Sequence, residues 1–187
     1  IADDGFYTPL RSIRQIRETS GEIEFSYPYS VEQRMRPEPI TLLKFALQQT
    51  FLTGTARGYS KKDINKWNAG GKTGTSDDQR DSWFVGFAGD LLVLVWLGFD
   101  DNRPTVLTGR TGAFQVWKNF IDDINPVSTK KTKLQRIQYV WTDIDDGLLS
   151  GKNCKNSLLV PFIRGTEPIK VPNVRKKCFS KSPSNGE

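Results

Sequence analysis

A lysine, two threonines and three glycines lie close together in the stretch "AGGKTGTSDDQRDSWFVGF", residues 69–87. Such a mixture could hold an anion, and a phosphate-binding loop is the first class of site to consider. That loop requires Gly-x-x-x-x-Gly-Lys-Ser/Thr between an apolar strand and a helix. Counting back from Gly71-Lys72-Thr73 places Lys66 where the first glycine belongs, and a strand-like run follows instead of a helix. The sequence therefore does not predict a phosphate-binding loop.

The same residues suit the edge of a strand that lines a cleft. Gly74 has no side chain, so a substrate can approach the backbone closely, and Lys72 supplies a positive charge. Thr73 and Thr75 are predicted to project to the same side of the strand, so that both hydroxyls can hydrogen-bond one carboxylate. A backbone N–H of the strand can face a developing oxyanion. The competing interpretation is an ordinary exposed lysine before a turn, and these four residues alone do not exclude it.

The absence of histidine from the chain excludes several kinds of site. A Ser-His-Asp triad, a Cys-His pair and a His-ligated zinc ion all require that residue. The two cysteines, Cys154 and Cys178, cannot complete a tetrahedral zinc site by themselves. We therefore predict no metal and no cofactor. An acyl-transfer reaction here would need a lysine, a tyrosine or a carboxylate to carry its proton.

The net charge of +6 raises the question of a nucleic-acid partner. Basic residues cluster only at residues 130–133 and 175–177, without the interleaved aromatics on which bases stack, so we predict a solvated surface and no nucleic-acid partner. The longest apolar run, residues 91–99, has nine residues, whereas a membrane-spanning helix needs ~20. The chain begins at Ile1 without a leader, and we expect any targeting sequence and membrane anchor to lie upstream.

Hydrophobic periodicity predicts the elements that precede the Lys-Thr-Gly segment. Two alternating arms within residues 5–35, around a turn at residues 19–21, predict a hairpin. A helix follows, in which Pro39 suits the first turn and Gly54 the end. Residues 59–68 are polar and predict a surface loop. The apolar face of the helix is predicted to consist of Ile40, Leu43, Leu47 and Phe51.

Three strands and a second helix are predicted after that loop. The strands are residues 72–75, 83–88 and 91–98, and Gly89-Asp90 forms a tight turn between the last two. Residues 91–97 are apolar at every position, which predicts a strand covered on both faces. The second helix spans residues 113–124. Its predicted apolar stripe, which packs on the sheet, consists of Ala113, Val116, Trp117, Phe120 and Ile124.

Composition divides the chain into four parts. Residues 1–125 hold the elements above, and residues 126–136 form a basic linker. Residues 137–178 form a small unit, which begins with a strand of alternating Ile137, Tyr139 and Trp141 and has a turn at Asp146-Gly147. Residues 179–187 are rich in Ser, Lys, Pro, Asn and Gly, and they predict a disordered tail.

Seven segments occur together in an order and spacing far more specific than Lys-Thr-Gly alone. They are "ADDGFYTPL", "LTGTARG", "AGGKTGT", "DSWFVGF", "VWLGFDDNRPT", "TGRTGA" and "LVPFIRGTEP". With them, nearly all of the chain, to about Cys178, resembles the C-terminal part of the transpeptidase domain of class A, bifunctional penicillin-binding proteins. Among these, it is most similar to the type 1b enzymes of Gram-negative bacteria.

The resemblance implies an α+β fold, in which helices flank an antiparallel sheet of five strands and a small β-rich tail follows. It implies that Lys72 helps to bind the terminal carboxylate of the substrate and supports proton movement. It also implies that the Thr73 and Thr75 hydroxyls contact this carboxylate beside Gly74, and that the Thr75 N–H forms half of the oxyanion hole. Lys72 and Thr75 are thus the expected catalytic residues.

The family acylates a serine in a Ser-x-x-Lys motif, which precedes a Ser-x-Asn motif and the Lys-Thr-Gly motif. Ser128-Thr129-Lys130-Lys131 matches the first pattern literally, but it follows Lys-Thr-Gly and lies in the basic linker without apolar periodicity. The chain contains no Ser-x-Asn. We therefore expect both motifs upstream and expect the chain alone to be inactive. The alternative is a non-catalytic peptide- or protein-binding module from a degenerate homologue.

The remaining expectations concern the cysteines and the partners. An even cysteine count favours a disulfide over two free thiols outside the cytoplasm, and the resemblance also implies a Cys154–Cys178 bond. The partners that the resemblance implies are peptidoglycan stem peptides, with a D-Ala-D-Ala donor and an amine acceptor, and β-lactam antibiotics. It implies a periplasmic location for this segment, with the parent protein anchored in the inner membrane.

Overall fold

Four short strands form the N-terminal part of the computed structural model, which describes residues 1–129 and 134–169. Strands β1 (Phe6–Tyr7) and β4 (Glu32–Gln33) pair with each other, and β2 (Gln15–Arg17) pairs antiparallel with β3 (Ile23–Ser26). Gly21 takes a left-handed φ of +92° in the connecting turn, as glycine does without steric cost. The predicted hairpin is therefore present as β2 and β3.

Helix α1 (Pro37–Leu52) follows and packs on the strand that carries the Lys-Thr-Gly motif. Pro37 and Pro39 both lie in its first turn. The N–H groups of that turn have no acceptor within the helix, so proline, which lacks an N–H, costs no hydrogen bond there. Of the four residues predicted to share one face, Ile40 and Phe51 are buried, Leu47 is half-buried and Leu43 is exposed. The buried part of α1 is therefore narrower than its apolar pattern.

Helix α2 (Lys61–Trp67) occupies the stretch that was predicted to be a surface loop, so that prediction was wrong. Its N-terminus is a capping box, in which the Asp63 N–H donates to Ser60 Oγ over 3.2 Å and the Ser60 N–H donates to Asp63 Oδ2 over 3.1 Å. The Ser60 hydroxyl also donates to this carboxylate and lowers the pKa of Asp63. Within this helix, Ile64 and Trp67 are buried.

Replacing Ser60 with alanine is expected to lower the free energy of unfolding by about 1 kcal/mol, because the first turn of α2 loses its cap. Urea unfolding of the 187-residue chain, followed by far-ultraviolet circular dichroism, measures this loss. Ser128→Ala is the control, since it makes the same chemical change at an exposed residue outside any helix or strand. Equal stability of the two variants would contradict a stabilising cap.

The central sheet has the order β5-β6-β7 and is antiparallel throughout. Its strands are β5 (Gly70–Thr75), β6 (Ser82–Ala88) and β7 (Leu91–Leu97), and a short 3₁₀ turn, Asp77–Gln79, connects the first two. The turn between β6 and β7 contains Gly89 at a φ of +59°. All three strands were predicted, and β5 begins earlier than expected because Gly70 and Gly71 already pair with β6.

One face of the sheet is covered by helix α3 (Ala113–Ile124) and an aromatic core. Phe51, Phe84, Phe114 and Trp117 are buried, and their ring centroids lie 5.0–6.4 Å apart. The side chains that α3 buries differ from the predicted stripe. Ala113, Phe114, Trp117 and Ile121 are buried, whereas Val116, Phe120 and Ile124 are exposed. The helix is therefore rotated from the predicted orientation, so that Phe114 and Ile121 face the sheet.

The opposite face of the sheet is open in the described structure. Leu92, Leu94 and Trp96 of β7 are 63%, 57% and 42% exposed, and Trp83 and Val85 of β6 lie exposed beside them. The prediction that β7 is covered on both faces was therefore wrong for residues 1–129 and 134–169. Within these ranges, three strands form the sheet, and no strand pairs with the outer edge of β7.

The C-terminal part is a hairpin of β8 (Ile137–Asp143) and β9 (Ser157–Ile163), and β9 contacts α1. The predicted strand and the turn at Gly147, with a φ of +72°, are present. Cys154 precedes β9, and its Sγ accepts a hydrogen bond from the Gly151 N–H over 3.3 Å. Cys178 and the predicted tail, 179–187, lie outside the described residues. The Cys154–Cys178 disulfide and the four-part division of the chain stay predictions.

None of the helices in the described part of the chain combines the length and the apolar character that crossing a bilayer would need.

Candidate functional site

The Lys-Thr-Gly segment lies on β5, at the edge of the central sheet. The Thr50 hydroxyl of α1 donates to the Gly71 carbonyl oxygen over 2.7 Å, and this bond fixes the start of β5 against the helix. Lys72 is exposed and lies opposite Val85, so its side chain leaves the sheet on the open face. Its Nζ turns back to the strand and donates to the Thr73 carbonyl oxygen over 2.7 Å. The ammonium group therefore sits at the strand edge.

The two threonine hydroxyls of β5 each have a partner from a different loop. Thr73 Oγ1 lies 2.6 Å from Thr55 Oγ1, in the loop after α1. Thr75 Oγ1 accepts a hydrogen bond from the Gly109 N–H over 2.9 Å, in the loop before α3. A hydroxyl has one proton to donate and two lone pairs. Because Thr75 accepts from Gly109, its own proton remains available for an anion in front of the strand.

Gly109 approaches the backbone of β5 and β6 more closely than any other residue type could. A Cβ at this position would lie 2.6 Å from the Gly74 oxygen and 2.7 Å from the Trp83 oxygen, distances that real Cβ atoms essentially never show. At Gly74, an added Cβ would lie 3.2 Å from the Trp83 Cβ. Gly109 thus allows the loop to come close enough to bond Thr75. At Gly74, the atom nearest to an added Cβ belongs to the Trp83 side chain on the adjacent strand β6.

The loop that carries Gly109 is fastened at both ends. The Thr105 hydroxyl and N–H donate to the Gln79 oxygen over 2.6 and 2.9 Å, which joins the loop to the turn after β5. The Ser82 hydroxyl donates to the Thr108 oxygen over 2.8 Å and accepts from the Ala113 N–H over 2.9 Å. Val106, between these anchors, has a φ of +57°, a strained conformation for a β-branched residue.

Sequence reasoning found the four residues of β5 but missed their partners. Lys72, Thr73, Gly74 and Thr75 are brought together on one strand as predicted, with the threonines on one side. Thr55 and Gly109 were not predicted, although they lie within the segments "LTGTARG" and "TGRTGA" that carry the family resemblance. Ser128, the literal match to Ser-x-x-Lys, is exposed after α3, outside any helix or strand.

A cavity of about 350 Å³ lies elsewhere, between the N-terminal segment, α1 and β8. Its lining includes Phe6, Lys44 and Tyr139 but none of the four predicted residues of β5. The Lys44 ammonium within it already donates to the Ala2 oxygen over 2.9 Å and pairs with Asp4. Among residues 1–129 and 134–169, no group of three or more His, Cys, Asp or Glu side chains is arranged to hold a metal ion.

Comparison with known proteins gives consistent matches. Residues 1–101 match the penicillin binding protein transpeptidase domain. The chain is 38% identical, over 67% of its length, to penicillin-binding protein 1B of Haemophilus influenzae, and 35% identical, over 65%, to penicillin-binding protein 1B of Vibrio cholerae. These alignments span only 16% and 15% of the relatives.

A solved structure shows the same fold. The crystal structure of penicillin-binding protein 1A from Haemophilus influenzae aligns with 91% of this chain and 31% of its own, with a TM-score of 0.68 and 21% identity. The predicted α+β fold and the predicted family are confirmed by these matches. The chain belongs to the penicillin-binding protein transpeptidase domain family, with relatives of the 1B and 1A types.

Proposed function

We propose that this chain forms one wall of the active site of a DD-transpeptidase that cross-links peptidoglycan stem peptides. The observation that carries the proposal is the β5 edge in a chain of this family: the Lys72 ammonium lies at this edge, and the same strand presents the hydroxyls of Thr73 and Thr75 on its other face. One positive charge and two hydroxyl donors are what a terminal carboxylate needs for charge-assisted hydrogen bonds.

In the proposed reaction, a serine from another part of the parent protein attacks the D-Ala-D-Ala carbonyl of a stem peptide. The C–N bond breaks, the acyl group is held as a serine ester, and D-alanine leaves with the proton on its amine. The amine of a neighbouring strand then attacks the ester and releases the serine. β-Lactams acylate the same serine, because ring opening mimics the first step.

Each residue of β5 has a role in this proposal. Lys72 attracts the terminal carboxylate and supports the movement of the serine proton, and Thr73 and Thr75 donate to the carboxylate. The Thr75 N–H forms half of the oxyanion hole, where a fixed donor stabilises charge that develops in the transition state. Gly74 leaves the strand edge open to the peptide. No cofactor takes part, and the reaction takes place in the periplasm, with the parent anchored in the inner membrane outside this chain.

Labelling with a fluorescent penicillin tests the proposal. We expect the full-length parent to form a covalent adduct and the 187-residue chain alone to form none, since the nucleophile is supplied from outside it. Mass spectrometry of the labelled parent is expected to place the acylated serine outside residues 1–187. Ser128→Ala in the parent serves as the control and should be labelled as strongly as wild type.

Two results would overturn the proposal. An adduct on Ser128 would mean that the rejected Ser-x-x-Lys match is the nucleophile and that the active site lies elsewhere. Saturable, reversible binding of stem peptides by a parent that no penicillin acylates would favour the alternative function, a non-catalytic binding module.

A further inference from the structure

Thr55 lies outside the Lys-Thr-Gly segment, yet its side chain meets the site directly. Its Oγ1 is 2.6 Å from Thr73 Oγ1, a short distance for a hydroxyl pair. The two residues are 18 positions apart in the chain. In a pair of hydroxyls, one donates and the other accepts, so the direction of this bond decides where the remaining proton points.

The loop that carries Thr55 is anchored to α1 by backbone hydrogen bonds and a buried residue. The residue that follows it, Ala56, is fully buried, and the Ala56 N–H donates to the Thr50 oxygen over 3.1 Å. The Gly58 N–H donates to the Phe51 oxygen over 3.2 Å. These bonds anchor the loop to the last turns of α1, whose Thr50 also bonds β5. Helix, loop and strand therefore fix the separation of the two hydroxyls.

We propose that Thr55 is a positioning residue, which donates its hydroxyl proton to Thr73 and thereby directs the Thr73 hydroxyl proton at the substrate carboxylate. This inference rests on the proposed function. A bound carboxylate can only accept protons, so Thr73 must donate to it, and the lone pair of Thr73 is then free to accept from Thr55. Hydrogen bonds linked in this way polarise one another. The Gly109 N–H likewise donates to Thr75 Oγ1, so the Thr75 hydroxyl proton is also directed away from the loop that contacts it.

The test compares two substrates of the full-length protein: a penicillin with its free carboxylate and the methyl ester of the same compound. Only the first presents the group that Thr73 is oriented to meet. Thr55→Val removes the hydroxyl at nearly constant shape. We expect it to slow acylation by the free acid about 2- to 10-fold, the range for one net hydrogen bond, and to leave the ester rate unchanged. Thr55→Ser should restore the wild-type ratio of the two rates.

Thr53→Val is the matched control, because it makes the same change in the same loop, where the hydroxyl instead faces the Gln49 oxygen over 3.4 Å. It should leave the ratio unchanged. If Thr55→Val lowers the melting temperature of the parent, Thr55→Ala replaces it in the comparison.

The outcomes separate this inference from the proposed function. A wild-type parent that no penicillin acylates would overturn both. A normally acylated parent in which Thr55→Val leaves both rates unchanged, or slows both equally, would overturn the role of Thr55 alone, since a merely loosened loop affects both substrates. A wild-type parent that does not distinguish acid from ester would also overturn it, because Thr73 would then have no carboxylate to meet.

Discussion

Replacing Lys72 with alanine in the full-length protein is expected to slow acylation by penicillin about 10²- to 10³-fold, the loss typical of one oxyanion-site contact. Lys72 is exposed on the edge strand, and its ammonium contacts only the Thr73 carbonyl among the hydrogen bonds of the described structure. Truncation therefore removes a charge from the cleft without burying a polar group or opening a cavity. The acylation rate constant with a fluorescent penicillin measures the loss.

Lys155→Ala is the control for net charge, since Lys155 is exposed in the connection between β8 and β9 and does not belong to β5. It should be acylated at the wild-type rate, and both variants should melt at the wild-type temperature. If Lys72→Ala reacted as fast as Lys155→Ala, Lys72 would be an ordinary surface lysine and the assignment of the site would be wrong.

The largest effect on stability is expected from Trp117→Ala in the 187-residue chain, a loss of about 3–5 kcal/mol in the free energy of unfolding. Trp117 is fully buried, stacks on Phe51 at a centroid distance of 5.7 Å, and donates from Nε1 to the Gly86 oxygen over 3.3 Å. An added Cβ on Gly86 would lie 2.8 Å from the indole. The indole thus fills a space that Gly86 leaves open, and its loss creates a large cavity in the core.

Phe120→Ala provides the comparison within the same helix, because Phe120 is 42% exposed whereas Trp117 is not exposed at all. Phe120→Ala should lower the free energy of unfolding by less than about 1.5 kcal/mol, because the Phe120 side chain buries little apolar area on folding. Urea unfolding followed by far-ultraviolet circular dichroism measures both variants. Similar losses for the two would mean that α3 is rotated toward the predicted stripe rather than the one in the structure.

Local patterns predicted the strands well, because alternation and turn residues act over a few positions. The hairpin at Gly21 and the turn at Gly89 follow from residues that tolerate a positive φ. Helix α2 was missed because only Ile64 and Trp67 of its seven residues are buried, so its apolar signal is weak. The Ser60-x-x-Asp63 capping pattern was present in the sequence and could have revealed it.

The candidate site was predictable only in part, for a related reason. Lys72 to Thr75 are neighbours in sequence, and the side on which each lies follows from the period of a strand. The contacts of Thr73 with Thr55 and of Thr75 with Gly109 join residues 18 and 34 positions apart. Such contacts depend on how α1 and the loop before α3 pack on the sheet, which no local pattern contains. The rotation of α3 and the open face of β7 were missed for the same reason.

The free edge of β7 has a practical consequence for any preparation of this chain by itself. All seven residues of β7 are apolar, and no strand within residues 1–129 and 134–169 pairs with its outer side. An unpaired apolar edge is a template for edge-to-edge association between copies and for aggregation. A lysine in place of Leu92 or Leu94, which are the most exposed residues of β7, would act as a gatekeeper against such assembly without disturbing the core beneath α3.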